Sequence, residues 1–373
     1  MTRIAAVSGV LPPYRYGQRE LADAVAALRP DPGADRALLD RFSAGAGVEF
    51  RYLAHPLESY REFDGFGRAN DAYLSAGVEL AESAARIALA SAGIAPEQVD
   101  VVVSTTVTGV AAPSLEARLA GRLGLREDVS RVPLFGLGCA GGAAGLGRVH
   151  DLLAGRPAGV ALLLATELCS LTLQRGDGST ANLLATALFG DGAGALLAVG
   201  DAFPLATPPT TPPPGSTGST VPAHAAPVGG PTVVASRSRL YPGTEQLLGW
   251  EVGDRGFRIL LGAELPELVR LHVGEEVSSF LAEHDLKPAD VSAWICHPGG
   301  PKVLDVLGEE LGLPDSALLP SRRSLARCGN LSSASVLHIL RDIVRSAPPA
   351  PGSHGLMLAL GPGFASELVL LRW

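Results

Sequence analysis

Three residues of this chain, Cys139, His297 and Asn330, have side-chain types and local settings that suit covalent catalysis. Cys139 follows a predicted short strand at 131–135 and begins a predicted helix whose first turns are glycine and alanine. Unpaired N–H groups and the positive end of the helix dipole stabilise a thiolate, which is the nucleophilic form of cysteine. The alternative interpretation is a small buried hydrophobic residue, the usual fate of a free cysteine.

His297 ends an apolar predicted strand that is broken by the Pro-Gly-Gly sequence of residues 298–300. Catalytic groups and ligands collect at the carboxyl ends of such strands, which favours a functional histidine over a structural one. Asn330 follows Gly329 at a predicted helix start, where a plain N-cap is the alternative. Taken together, the three residues supply a nucleophile, a base and an amide donor.

The predicted elements around these residues indicate a largely parallel α/β arrangement. Continuous apolar runs at 100–106, 131–135 and 160–166 are typical of strands that are buried on both faces. A helix is predicted at 114–123, and glycine-rich sequence occupies residues 136–147. Strands that alternate with helices in this way favour a mostly parallel sheet covered by helices on both sides.

A segment rich in Thr, Pro and Gly, residues 207–231, divides the chain. Because it lacks periodic apolar residues, we predict a flexible loop between an N-terminal half, 1–206, which carries the cysteine, and a C-terminal half, 232–373, which carries the histidine and the asparagine. Glycine-rich helix starts at 138–142 and 328–333 occupy similar places in the two halves. We interpret the halves as an internal duplication, with chance similarity of Gly- and Ala-rich sequence as the alternative.

Composition and charge exclude several classes of protein. Of the 373 residues, 47% are hydrophobic, 18% are charged and 5% are aromatic, and the net charge is −8. The apolar fraction is that of a globular protein and excludes disorder for most of the chain. Lysine occurs only at 287 and 302, and no dense Lys/Arg run is present, so a nucleic-acid partner is not expected.

Membrane, secreted and metal-binding classes are excluded in the same way. No uninterrupted apolar stretch of about 18 residues and no signal-peptide pattern are found, so neither a membrane span nor export is predicted. The 4 cysteines are too dispersed for a disulfide scaffold, and no paired Cys or His spacing indicates a metal site. We therefore expect a cytoplasmic, reduced protein without a metal.

The sequence resembles the type III polyketide synthases, the chalcone synthase-like branch of the thiolase superfamily. The matching stretches, in the order of that family, are 138–142 (GCAGG), 188–193 (LFGDGA), 297–301 (HPGGP), 329–333 (GNLSS) and 361–363 (GPG). The resemblance implies a thiolase fold: five αβαβα layers built from two similar halves with mixed, mostly parallel sheets. It also implies a homodimer.

The resemblance implies an acyltransferase of secondary metabolism that loads an acyl group from acyl-CoA on Cys139. His297 pairs with the thiolate and, with Asn330, binds the thioester oxygen of malonyl-CoA, which supports loss of CO2 because the enolate charge forms in place. The enolate then attacks the Cys139 thioester in a Claisen condensation. CoA thioesters are the expected partners, and no further cofactor is expected.

The same resemblance implies a set of substrate-binding residues: Phe189, Phe257, Val107, Ala112, Cys169, Ser332, Gly299 and Gly300. The two phenylalanines match the gatekeepers between the CoA tunnel and the cavity. Val107 and Ala112 are small and apolar, which fits a long acyl tunnel. Arg51 and Arg41 are candidates to replace the basic cluster that the plant enzymes have near the CoA entrance, and the terminal loop departs from the family pattern, reading ALGPG at 359–363.

Residues 167–173 and 248–252 look most like those of bacterial alkylresorcinol and alkylpyrone synthases. This implies a medium or long fatty acyl-CoA starter and a cyclised resorcinol- or pyrone-type product. The stretch around Cys169 is also similar to the tetrahydroxynaphthalene synthases, which use malonyl-CoA alone. Two further alternatives are a ketoacyl synthase that uses acyl carrier protein and, less favoured, a papain-like cysteine hydrolase, since the chain order Cys, His, Asn is shared.

Overall fold

The computed structural model describes residues 1–31, 33, 35–205 and 230–373. The strands within these residues are β1 (Thr2–Val10), β2 (Tyr14–Gly17), β3 (Phe50–Leu53), β4 (Val101–Thr106), β5 (Ser130–Phe135), β6 (Val160–Leu168), β7 (Asp191–Gly200), β8 (Thr232–Leu240), β9 (Leu248–Gly253), β10 (Gly256–Leu261), β11 (Val291–Cys296), β12 (His354–Gly361) and β13 (Ala365–Arg372).

Helices connect and cover these strands. They are α1 (Gln18–Leu28), α2 (Arg36–Gly45), α3 (Phe66–Ala92), α4 (Leu115–Leu123), α5 (Gly141–Ala154), α6 (Thr180–Leu188), α7 (Leu265–Ala282), α8 (Pro301–Glu310), α9 (Leu319–Cys328) and α10 (Ser335–Ser346). No helix in the described part of the chain is long and apolar enough to cross a membrane.

Nine strands form one mixed sheet in the order β11-β12-β13-β8-β1-β7-β6-β4-β5. In the first half β5, β4, β6 and β1 run in one direction and β7 opposes them; in the second, β11, β12 and β8 run together and β13 opposes them. The prediction of mixed, mostly parallel strands is therefore confirmed. Each opposing strand has a neighbour on both sides, and β1 and β8 also run in opposite directions. Most neighbouring pairs are therefore antiparallel, although most strands within each half share one direction. The two half-sheets meet through a short β1–β8 ladder, which pairs Thr2 with Val233 and Arg3 with Thr232.

Three apolar clusters show how the elements stack in layers. The first packs α3 and α4 against the outer face of the N-terminal half-sheet. The second buries α5 and α10 between the two half-sheets, and the third packs α7 and α8 on the outer face of the C-terminal half-sheet. The five predicted αβαβα layers are therefore present. Every residue of β6 and β7 is buried, as expected for strands with helices on both faces.

The division of the chain into residues 1–206, 207–231 and 232–373 stays a prediction. Of the proposed loop, only Gly230 and Pro231 belong to the described residues, and the remainder lies outside them. The carbonyl of Pro231 accepts a hydrogen bond of 3.0 Å from the N–H of Ile4. This bond lies beside the β1–β8 ladder and extends the contact between the halves.

The glycine-rich start of α5 lets two backbones approach closely in the central layer. A Cβ on Gly142 would lie 2.2 Å from the carbonyl oxygen of Ser333 and 2.6 Å from Cγ2 of Val336. Ser333 lies in the turn before α10 and Val336 in the first turn of that helix, so the contact joins the two halves beside Cys139. No side chain fits this position without moving the backbone.

Gly142→Ala is expected to destabilise the protein by about 2 kcal/mol or more, because overpacking against a backbone carbonyl cannot be relieved by side-chain rotation. Urea unfolding at equilibrium measures the change. Gly121→Ala is the matched control, since a Cβ on Gly121 in α4 meets nothing within 4 Å. That control should be neutral or slightly stabilising. Equal stabilities of the two variants would contradict the close approach.

Candidate active site

Cys139 lies where the sequence predicts, between β5 and α5 in a 3-10 turn formed by Gly138–Ala140. The residue is partly exposed. Burial raises the pKa of its thiol to about 12, while side-chain hydrogen bonds from Ser332 and Asn330 act in the opposite direction. The structure therefore brings Asn330 and Ser332 of the second half to the sulfur of Cys139 in the first half.

Asn330 is held by backbone bonds that also fix Phe189. Its N–H donates to the carbonyl of Leu188 at 2.8 Å, and its own carbonyl accepts from the N–H of Gly190 at 3.0 Å. Its side-chain oxygen accepts from the N–H of Ser332 at 2.8 Å. Because both ends of the amide and the backbone are engaged, Asn330 is rigidly placed beside the sulfur.

His297 directly follows β11, as predicted, and its backbone N–H donates to the carbonyl of Leu358 at 2.8 Å. Its side chain is buried, and neither ring nitrogen has a hydrogen-bond partner. Burial lowers the pKa of the imidazole to about 3. A hydrogen bond between His297 and the sulfur of Cys139 is thus not formed in this structure. Burial disfavours both charged forms, the thiolate and the imidazolium.

Glycines follow His297 and widen the space around its ring. A Cβ on Gly299 would lie 3.7 Å from Cδ2 of the histidine, and one on Gly300 would lie 3.8 Å from Leu188. Both positions are close to the site but leave room beside the imidazole. The two glycines are therefore placed to let a substrate approach His297, and their substrate-binding role stays a prediction.

Glu167 is a site residue that the sequence analysis did not identify as functional. It is fully buried at the end of β6 and accepts hydrogen bonds from Ser333 at 2.5 Å, Ser332 at 3.2 Å and Thr108 at 2.9 Å. Burial raises the pKa of this carboxyl group, and these bonds only partly offset the effect. A carboxylate in an otherwise apolar strand was the available signal.

A cavity lies beyond Phe189 and Cys169, the two predicted substrate-binding residues that line it. Its volume is about 60 Å³. Apolar side chains such as Leu53 and Trp250 form much of its wall, and Arg51 also lines it. Phe189, which lines this cavity, forms a parallel β-bridge with the catalytic candidate Asn330.

Comparison with known proteins identifies the family. The chalcone and stilbene synthase N-terminal domain matches residues 66–202, and the C-terminal domain of the same family matches residues 232–373. This chain belongs to the chalcone and stilbene synthase family. It is therefore a type III polyketide synthase with a thiolase-like fold, an acyltransferase of the kind that uses CoA thioesters. The carrier-protein ketoacyl synthase and the papain-like hydrolase are excluded as interpretations.

Individual relatives span the whole chain. A 1,3,6,8-tetrahydroxynaphthalene synthase of Streptomyces peucetius subsp. caesius is 54% identical over 100% of this chain and 93% of its own length. A putative chalcone synthase of Bacillus subtilis is 32% identical over 100% of this chain and 99% of its own. The crystal structure of the tetrahydroxynaphthalene synthase of Streptomyces coelicolor superposes with a TM-score of 0.87 at 27% identity, covering 100% of this chain and 99% of that one.

Phe257 of this type III polyketide synthase lies in an aromatic cluster rather than in the wall of the cavity. Its ring centroid is 5.4 Å from that of Phe66, 6.2 Å from that of Trp250 and 6.4 Å from that of Phe135. Trp250 both lines the cavity and contacts Phe257, so the β9–β10 hairpin carries both features. The gatekeeper role of Phe257 stays a prediction.

Val107 and Ala112 were predicted together as cavity-side residues, but the structure separates them. Val107 is buried, and its Cγ1 lies 3.9 Å from the position of a Cβ on Gly138, which places it beside the nucleophile. Ala112 is exposed and lines no described cavity of the single chain. The cavity-side role of Ala112 stays a prediction.

The prediction that places Arg51 at the CoA entrance is wrong. It was a candidate for the basic CoA entrance, yet its side chain is buried, and its guanidinium donates to the carbonyls of Thr186 and, at 3.1 Å, Phe189. Burial lowers its pKa to about 10, so it remains a cation at neutral pH. Arg41 is exposed on α2, over the ring of Phe42, and remains the candidate for that entrance.

His297→Gln is expected to raise the pH at which Cys139 becomes reactive by about one unit or more, because a neighbouring imidazolium stabilises the thiolate. The rate of alkylation by iodoacetamide, followed from pH to pH by mass spectrometry of the Cys139 peptide, measures the shift. His150→Gln is the control, since His150 lies on α5, the helix that follows Cys139, and its ring forms a hydrogen bond with the hydroxyl of Thr2. Coincident profiles of wild type and His297→Gln would disprove the pairing.

Proposed function

We propose that this type III polyketide synthase uses malonyl-CoA as both starter and extender and releases a tetrahydroxynaphthalene-type product. The observation that supports this most is the 54% identity to a 1,3,6,8-tetrahydroxynaphthalene synthase over the whole chain. This favours the alternative interpretation of the sequence over the fatty acyl starter that was the main one. The fatty acyl interpretation keeps weaker support from a relative named for α-pyrone synthesis in Mycobacterium tuberculosis, which is 29% identical.

The chemistry of the cavity wall supports the same choice. Among apolar side chains it includes Arg51, Tyr60 and Ser170. A poly-β-keto chain carries an oxygen on every second carbon and can pair with such groups, whereas a fatty acyl tail carries none. Because a buried polar group costs free energy when it faces an alkyl chain, this wall suits a polyketide better than a long fatty tail.

In the proposed reaction, Cys139 transfers its proton to the unprotonated ring nitrogen of His297, which no other group occupies. The thiolate attacks the acyl carbonyl of the CoA thioester, and CoA leaves. A second malonyl-CoA loses CO2 while its thioester oxygen is bound by His297 and Asn330. The resulting enolate carbon attacks the Cys139 thioester, the new C–C bond forms, and the sulfur leaves as the thiolate.

We propose that a homodimer is the functional state, as the family resemblance implies. The outer strand of the nine-stranded sheet, β5, supports it, because its side chains Val132 and Leu134 are only partly buried and Phe135 is exposed. Partly exposed apolar residues on an unpaired strand edge favour association with a second surface. The absence of a cofactor and the cytoplasmic location stay predictions.

Incubation with malonyl-CoA alone is expected to give the naphthalene-type product, and addition of octanoyl- or palmitoyl-CoA is expected to change its rate little. Liquid chromatography with mass spectrometry identifies the products. Cys139→Ala, which should give none, controls for non-enzymatic condensation. Alkylpyrones or alkylresorcinols as main products of the acyl-CoA incubations would refute the proposed starter while leaving the family assignment unchanged.

Asn330→Ala is expected to slow malonyl-CoA decarboxylation about a hundredfold, because one donor to the developing enolate oxygen is lost. Acylation of Cys139 should fall much less. Release of labelled CO2 and the mass of the acylated Cys139 peptide measure the two steps separately. Asn70→Ala, a change at an exposed asparagine bonded to Val110, is the control. Equal losses in decarboxylation and acylation would instead indicate that Asn330 acts by positioning the Cys139 thiol.

A further inference from the structure

We propose that the guanidinium of Arg51 binds the growing chain, donating a hydrogen bond to a keto or enolate oxygen of the poly-β-keto intermediate in the cavity. The inference rests on the proposed function only in requiring a β-keto chain, which every extension with malonyl-CoA produces. It gives the cavity a binding residue of defined chemistry. It also assigns a role to a residue that the sequence placed elsewhere.

The position of Arg51 supports this role. The residue lies on β3, is 4% exposed and lines the cavity together with Phe189 and Cys169. A Cβ on Gly329 would lie 3.0 Å from its Cγ and 3.2 Å from its Cδ. Its aliphatic stem therefore runs along the residue that precedes Asn330. Cys169, another residue of the cavity wall, is close enough to Cys139 for the two thiols to interact electrostatically.

The hydrogen bonds of the guanidinium leave one donor unused. Nη1 donates to the carbonyls of Thr186 and Phe189, but Nε has no partner although it is buried. A buried donor of a cationic group without a partner costs free energy, and almost all such groups in folded proteins are paired. The guanidinium of Arg51 therefore has donor capacity that its protein partners do not use, and Arg51 lines the cavity in which a ligand oxygen can pair with it.

The charge of Arg51 is also uncompensated at short range. No carboxylate in the described part of the chain forms an ion pair with it, and the nearest acidic group that affects it is Asp191. The carboxylate of Asp191 is already engaged by Ala54 and by the N–H and hydroxyl of Ser170. A buried cation in this setting favours an electron-rich oxygen, and the enolate of a β-diketone is more electron-rich than a simple ketone.

The test uses Arg51→Lys in the Cys139→Ala background, which prevents acylation. Lysine keeps the positive charge, but it replaces the forked set of guanidinium donors with a single ammonium group. Acetylacetone, a small β-diketone, is the probe, and methyl propyl ketone is the mono-ketone reference. Titration calorimetry should show that Arg51→Lys weakens acetylacetone binding about tenfold or more and changes binding of the mono-ketone little.

Arg341→Lys in the same background is the matched control. Arg341 is equally buried and bonds to the carbonyl of Gly9, but it does not line the cavity. It should leave acetylacetone binding unchanged even where it lowers the melting temperature. The melting temperature of each variant shows whether it is folded. If Arg51→Lys is not folded, Arg51→Met replaces it in the same titration.

The outcomes separate this inference from the proposed function. Equal acetylacetone affinities of the Arg51 variant and its parent, or an equal loss in Arg341→Lys, would overturn the role of Arg51. A wild-type enzyme that makes alkylpyrones would overturn the malonyl-CoA starter but not this role, because alkylpyrone precursors also contain β-diketones. In the otherwise wild-type enzyme, Arg51→Lys should raise the ratio of short pyrones to full-length product while Cys139 is still acylated.

Discussion

The close approach of glycine backbone to carbonyl oxygens across the two halves is the constraint on which the rest of the site depends. A Cβ on Gly142 would lie 2.2 Å from the carbonyl of Ser333, and one on Gly190 would lie 2.4 Å from that of Cys328. Both contacts join a residue of the first half to the segment around Asn330. Any side chain at these positions would push Asn330 and Ser332 away from the sulfur of Cys139, since protein interiors have little free volume.

Burial controls the charges of the site that this contact assembles. It raises the pKa of the Cys139 thiol and of the Glu167 carboxyl group and lowers that of the His297 imidazole. A neutral thiol beside a neutral imidazole is therefore the resting arrangement, and the reactive ion pair forms by moving one proton within the site. Because the transfer creates the thiolate and the imidazolium together, the net charge of the site stays the same.

Much of the fold could be predicted because the sequence signals are strong and local. The apolar run at 160–166 is part of β6, a strand buried on both faces, and the glycines after Cys139 begin α5. The positions of Cys139, His297 and Asn330 at element ends also follow from local breaks in the pattern. The side-chain hydrogen bond that joins Asn330 to the Cys139 sulfur could not be predicted from either segment alone, because it depends on the packing of the two halves.

The misplaced residue has a physical explanation. Arg51 was assigned to the CoA entrance as a replacement for the basic cluster of the plant enzymes, whereas β3 packs its side chain beneath Gly329. Side-chain direction at the end of a strand depends on tertiary contacts that a linear pattern does not contain.

The unpaired buried donors and acceptors of this chain can be divided by what surrounds them. Nδ1 of His338 is unpaired, but the other ring nitrogen bonds to Ala193, and no described cavity reaches that histidine. His297 follows β11 and is flanked by Gly299, and Arg51 is one of the residues that line the cavity. The cost of leaving a polar group unpaired is recovered only where a ligand can reach it. This difference gives His297 and Arg51 a functional explanation and leaves His338 a structural one.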